Sequence, residues 1–559
     1  MQLIDYQYFN LTFLTMPILL QRQAQSTASD NLFQLIKTLT KAEKRNFRLY
    51  VTRNQDSEEL KFIRLFDVLD KSKDYDETAL FKKVPEIKKE QLSNLKAHLY
   101  KQLLTSLRLL HKNRNADIDI RENIDYAKIL YNKGLYIQSL RILDKAKGLA
   151  ETNHQDLLRL EVIEFEKLIE SRHITRSHEG RADELAEDAK TTMNRLVNTS
   201  RLSNLSLQLY GMYLQMGHAR NAEDMKKVDD FFKSNTDDSP VNSHFGGVGG
   251  LGFFEKVYLY QCHIWQSYIA QDWINYYRYS YKWVDLFEQE PIMKINDTSL
   301  YLKGVHNLLN ALFMTLDHER LSKILNNTEL YLQKHADVLD ENTRALSFHH
   351  IYTAKINKHF LEGSFTEGVK MIPEIEALLK EFALRLDEHR ILVFYYKIAC
   401  LYFGSSNFDK AIDYLNKIIN LKSGTLRTDI QCFARMLHLI AHYEKGHFAL
   451  LEYLTKSVYR FLLKHGDMSG VMQEIMKFLK KSLYIKQKDL KPEFEELKNQ
   501  LEILAKNPFE RRSFIYLDII AWLESKVDGK TIEQVSKKKF LEREFKKVKV
   551  VGVLKNVGK

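Results

Sequence analysis

The chain has 559 residues and a mass of 66.0 kDa. That exceeds the roughly 250 to 300 residues at which one hydrophobic core stops growing, so several domains or a repeat array are expected in place of one compact globule. Hydrophobic content of 44% argues against disorder over most of the length, and only 7 prolines and 21 glycines interrupt a mixture that helices tolerate well. The net charge of +11 is terminal: residues 31–120 carry 19 basic and 13 acidic side chains, and residues 526–559 carry 11 and 4. Such charged ends serve solubility or touch anionic surfaces.

Residues 6–20, YQYFNLTFLTMPILL, are too short to span a bilayer and lack the basic start of a signal peptide. Residues 1–30 are therefore expected to be a disordered leader, or translation begins at Met16. Cys262, Cys400 and Cys432 stand singly in apolar stretches, without disulfide or zinc spacing, as buried thiols in a reducing compartment would. A cytoplasmic location and no membrane partner are expected.

A small helical domain is predicted over 31–115, with Asp76 as an N-cap and a long helix starting near Lys89. On that helix Leu92, Leu95, Leu99, Leu103, Leu107 and Leu110 form one apolar face. The opposite stripe holds Asn94, His98, Lys101, Thr105, Arg108 and Lys112, and no acid occurs from Gln91 to Ala116. A cationic stripe of this kind suits phosphate contact, so Asn94, His98, Lys101, Arg108 and Lys112 are candidate nucleic-acid contacts. Short helices before a long one also resemble, loosely, the DNA-binding modules that precede helical repeats in some bacterial regulators.

From Ile120 the texture changes to helix pairs joined by short turns. Gly134 ends one helix and Tyr136 starts the return, with Ser139, Leu143 and Ala146 facing back onto it. In FYYKIACLYFGSSNFDKAIDYLNKIINL, the residues Tyr395, Ile398, Ala399, Tyr402, Phe408, Ala411, Leu415 and Ile418 take a similar pattern, with Ser406 where a glycine is usual. LSLQLYGMYLQMGHARNAED supplies Leu209, Tyr210, Tyr213, Gly217 and Ala222, and weaker copies open their second helices on Trp273, Phe365 and Phe448. Pro373 is expected to kink the Phe365 copy. The pattern resembles the tetratricopeptide repeat, with degenerate copies over about half of residues 120–470; other α-solenoids share its periodicity.

The resemblance implies an all-α, right-handed α-solenoid of antiparallel helix pairs after the small N-terminal domain. Repeats are expected over 116–233 and 253–525, the latter ending in a helical cap beyond Pro492. A polar and Gly-rich loop at 234–252 lies between them, and a basic tail at 526–559 follows. In the family one stripe of each first helix lines a concave groove. Carried onto this chain, the stripe is Tyr258, Gln261, Trp265 and Tyr268; in the Tyr402 copy Val393, Tyr396, Cys400 and Phe403; in the Tyr213 copy Asn204, Leu207, Gly211 and Leu214. The candidate partner-binding residues are Tyr258, Gln261, Trp265, Tyr268, Tyr396 and Phe403. These stripes lack the Lys and Asn set by which some relatives clamp a peptide C-terminus. Between Phe253 and Phe287 lie thirteen aromatic residues, for which packing is the competing account.

Chemistry-bearing motifs lack their context. Gly247, Gly249 and Gly252 spell GxGxxG with Asp272 twenty residues on, yet no strand precedes them. Gly529-Lys530-Thr531 has Glu524 at the position of the first P-loop glycine. His438 and His442 share a helix face but have no evident third ligand. No catalytic constellation, cofactor site or metal site is expected. The reading is a non-catalytic scaffold or adaptor that binds a protein segment in an aromatic groove. The alternative is a nucleic-acid-binding regulator with a repeat sensor domain.

Overall fold

In the computed structural model, the structure describes residues 31–52, 57–111, 115–173, 178–236, 250–383, 385–421, 428–465, 468–486, 489–510, 514 and 518–557, with backbone alone for 57–60, 62 and 547–557. Expectations for residues 1–30, for Lys112, and for Gly247 and Gly249 with most of the 234–252 loop lie outside the described residues. Every regular element among the described residues is a helix.

In chain order the helices are α1 (Asn31–Thr38), α2 (Lys41–Val51), α3 (Ser57–Lys71), α4 (Glu77–Lys83), α5 (Lys89–His111), α6 (Ala116–Asn132), α7 (Tyr136–Thr152), α8 (Asp156–Arg172), α9 (Arg181–Met216) and α10 (Ala222–Thr236). They continue as α11 (Phe253–Ile269), α12 (Trp273–Gln289), α13 (Pro291–Asn296), α14 (Thr298–Met314), α15 (His318–Lys334), α16 (Glu341–Glu362), α17 (Phe365–Val369) and α18 (Ile372–Glu381). The last are α19 (Glu388–Gly404), α20 (Phe408–Ile419), α21 (Thr428–Glu444), α22 (Phe448–Lys464), α23 (Gly470–Ser482), α24 (Leu490–Leu504), α25 (Ile519–Asp528) and α26 (Ile532–Val557). Two compact units result: the first runs to Leu158 and includes Leu168–Ser177, and the second holds Arg159–Lys167 and everything from His178.

In the first unit α1 to α5 enclose one core. Leu92, Leu99 and Leu103 of α5 are buried there with Ile36, Phe47 and Phe66, and Leu95 and Leu107 pack on its edge. Thr40 starts α2 through a capping box with Glu43, and the Asp76 carboxylate caps α4 by accepting from the Thr78 and Ala79 amides. The α6–α7 pair belongs to the same unit. Its seam is made of small residues: Ala127, Ser139 and Ala146 are fully buried, and the Ser139 hydroxyl donates to the Ala127 carbonyl at 2.8 Å.

The second unit is built largely of packed pairs whose turns recur in one conformation. The residue two places before the second helix lies in the left-handed region: Gln271 before α12, Leu316 before α15, Gly363 before α17, Ser406 before α20 and Gly446 before α22. In the first unit Gly134 does the same before α7. Such a residue turns the chain sharply enough for the second helix to fold back on the first. Ser406 holds this conformation at φ 63° without glycine's freedom. Asp272, Asp317 and Asn407 then cap the returning helices with their side chains. At Pro373 the helix is divided into α17 and α18, because proline cannot supply the amide that a continuous helix needs.

The segment expected to be a basic tail contains α26, which docks on its own unit. Ile532 and Val535 are buried, Glu533 accepts from the Thr366 amide at 3.1 Å, and Arg543 donates to the Leu361 carbonyl at 3.0 Å. Among the described residues no helix is long and apolar enough to cross a membrane.

Candidate functional site

The recurring turn fixes a register, and the register aligns one stripe across successive first helices. Counted back from the left-handed residue, Tyr258, Gln261, Trp265 and Tyr268 of α11 correspond to Lys303, His306, Asn310 and Phe313 of α14. On α16 the equivalents are His350, Thr353, Asn357 and Phe360, and on α19 they are Val393, Tyr396, Cys400 and Phe403. The spacing of three, four and three keeps each set on one helix face. α14 packs on α16, and α16 on α19, so these stripes adjoin.

Their fates differ along the unit. On α11, Tyr258, Trp265 and Tyr268 are half-buried. The Trp265 ring lies against Tyr210 at 4.8 Å and Tyr213 at 5.5 Å, and Tyr268 meets Tyr276 at 5.0 Å. Gln261 is buried and accepts from the Ser206 hydroxyl at 3.3 Å, which commits it to packing between α9 and α11. The expectation that Tyr396 and Phe403 line an open groove is corrected: Tyr396 is 4% exposed and Phe403 0%. They belong to one extended core that also takes in residues of α23, α24 and α25, and the Phe403 ring lies edge-on to Phe408 of the return helix at 5.3 Å. On the next first helix Tyr443 is likewise edge-on to Phe478, Phe494 and Trp522 of those C-terminal helices.

The stretch on α14 and α16 is chemically different, and the sequence reading passed it over because His318, not an aromatic residue, opens the return helix there. Lys303 is exposed, and His306 and Asn310 are half-buried. The His306 ring stacks on His350 at 4.3 Å and lies 5.7 Å from His349. Lys397, one residue from the α19 stripe, reaches across to donate to the Asn357 carbonyl oxygen at 2.5 Å, with its ammonium 5.6 Å from the centre of the Phe360 ring. Neither Lys303 nor Lys397 forms an ion pair among the described residues. The Nδ1 atoms of His349 and His350 and the Thr353 hydroxyl are buried without a hydrogen-bond partner. The three stripes read from the sequence carry no lysine; on α14 and α16, Lys303, Asn310 and Asn357 occupy the equivalent positions and Lys397 flanks them.

Electrostatics follows from this crowding of cations. Burial, with Lys397, Arg390 and Lys303 nearby, pushes His306 down to about 4, and burial pushes Lys397 down to about 8. His350 is driven down by burial and by His306, His349, Arg390 and Lys303. Arg390 alone of the three cations has a carboxylate, Asp387 at 2.6 Å. The layer is neutral in its imidazoles, positive at its lysines, and offers donors to an anion.

The other candidates are placed as follows. Asn94, His98, Lys101 and Arg108 are exposed on α5; His98 pairs with Gln102 at 3.0 Å, and Arg108 approaches Asp125 at 3.8 Å. His438 and His442 are joined at 3.2 Å, and His442 continues to His447 at 2.9 Å. Gly252 is the N-cap of α11, its amide donating to Glu255 at 2.6 Å, and Gly529 is the left-handed C-cap of α25. Cys262 and Cys400 are buried, and burial pushes both thiols up to about 12, away from nucleophilic use. No protein-family model matches the chain, and the comparisons with curated proteins and with solved structures found no match.

Proposed function

We propose that the chain is a non-catalytic binding protein of the tetratricopeptide-like solenoid type, and that it holds an acidic segment of a partner protein on the α14–α16 stretch of its first-helix stripe. One observation carries the reading: Lys303 and Lys397 converge from two helices on a layer of imidazoles and carboxamides that has no carboxylate of its own to neutralise them. Carboxylates of the segment would neutralise the lysines, and the half-buried Asn310 carboxamide would meet its peptide groups. The half-buried Tyr258, Trp265 and Tyr268 would receive apolar side chains next along the stripe. Peptide groups suit carboxamides, which favours a protein segment over a nucleic acid. A cytoplasmic scaffold or adaptor would use a surface of this kind.

The test is retention of a polyglutamate peptide by the intact protein at low and high salt. Binding is expected at low salt, weakened by salt, and absent in a Lys303→Glu/His306→Glu variant whose far-ultraviolet circular dichroism is unchanged. No retention at low salt contradicts the reading. Retention of DNA in place of the peptide would transfer the assignment to nucleic acid.

A further inference from the structure

A cavity of about 480 Å³ lies where the stripe meets the C-terminal helices, within the roughly 300 to 1,000 Å³ of small-molecule sites. One wall is apolar: Phe313, Phe360 and Cys400, the stripe residues at its end, with Phe365 beside them. Gly404 makes room for that wall, because a Cβ there would run into the Phe365 ring. Another part of the lining is one face of α26, where Ile532, Ser536, Lys539 and Arg543 recur at spacings of four, three and four.

A face that only packed against phenylalanines would carry aliphatic residues, but this one carries a hydroxyl and two cations. The Ser536 hydroxyl is buried, in a residue 8% exposed, and has no hydrogen-bond partner. Lys539 is held by Glu524 at 2.7 Å and Asp518 at 3.5 Å, the latter also lining the cavity. Arg543 donates to the Leu361 carbonyl, which leaves other guanidinium donors for an anion. An apolar chamber with an unpaired hydroxyl and a guanidinium on one wall matches a ligand with an apolar body and an anionic head.

We propose that this cavity binds a straight-chain monocarboxylate, its alkyl chain among Phe313, Phe360 and Phe365 and its carboxylate on Arg543 and the Ser536 hydroxyl. The proposal is independent of the acidic-segment reading, since its ligand, wall and test differ. Because α26 forms a wall, the ligand also fastens that helix to its unit.

The experiment is calorimetric titration of the full chain with octanoate, decanoate and decanol. Affinity is expected to rise about fourfold per buried methylene from octanoate to decanoate. Decanol is expected to bind at least about tenfold more weakly than decanoate, a difference that Arg543→Met erases. Ser536→Phe, which fills the chamber, should abolish binding. On the wild-type chain, decanoate should slow amide hydrogen exchange across residues 532–543, a readout that needs no variant to fold. Absence of saturable decanoate binding, equal binding of decanol by the wild type, or binding with unchanged exchange in α26 would each overturn the assignment.

Discussion

The same stripe positions meet opposite fates on α14 and α19 of the second unit, and the residue types follow the fate. On α19, the positions Tyr396, Cys400 and Phe403 are buried in the core of their own unit. On α14 they are Lys303, exposed and outside any ion pair among the described residues, with His306 and Asn310 half-buried beside it; on α16, His350 and Asn357 are polar yet buried. Burial of apolar surface stabilises the fold, whereas a solvated cation without a counter-charge adds little to the fold and can take a carboxylate from a partner. The contrast teaches which part of a repeated surface is structure and which part is left for a partner.

The largest test of that contrast is to remove the covering contact. Trp522 is fully buried against Tyr443, Phe478 and Phe494, so Trp522→Ala should cost about 3 to 5 kcal/mol in denaturant unfolding. Lys303→Ala, on the open stretch, should change stability by less than about 0.5 kcal/mol. Equal costs would erase the distinction between the two regions.

A second test uses pH. Lysine in the unfolded chain keeps its proton up to 10.5, but folded Lys397 releases it near 8, so between those values the unfolded state binds more protons and stability rises with pH. The rise should be on the order of 1 to 3 kcal/mol. It should vanish in Lys397→Met. His306 works in the same direction on the acid side: its folded value is about 4 against an ordinary 6.5, so stability present above 6.5 is lost as pH falls toward 4. A flat profile in both windows would show that the layer is open to bulk water.

Within pairs the expected effects are smaller. Ala411 is fully buried on α20, which packs against α19, so Ala411→Leu should cost about 1 to 3 kcal/mol. Ser406→Gly should stabilise by about 0.5 to 1 kcal/mol, because glycine adopts the left-handed turn without strain. A destabilising Ser406→Gly would mean that the loss of chain entropy outweighs the relieved strain.

What the sequence made legible was local. The turn at Gly134, the cap at Asp76, and the buried small residues Ser139 and Ala411 each depend on neighbours within one helix pair, so spacing revealed them. The rest was hidden for separate reasons. Tyr396 and Phe403 sit in a core that extends to α23, α24 and α25, and the periodicity of one helix does not record which of its faces such a core takes in. The α14–α15 pair escaped notice because His318 replaces the aromatic signal, and with it the Lys303, His306 and Asn310 stripe went unread. The α26 face was taken for a solvated tail because its lysines outweighed the apolar Ile532 and Val535 that dock it.

The measurement that bears most directly on the acidic-segment reading is an NMR titration of the His306 imidazole in the intact protein, with and without polyglutamate peptide, its signal identified by its loss in His306→Gln. Free, the ring should titrate near 4; with peptide bound, carboxylates beside Lys303 should raise it by a unit or more, because they favour the charged imidazole. An unchanged titration under conditions where the peptide is bound would contradict the account, since the segment would then be held elsewhere.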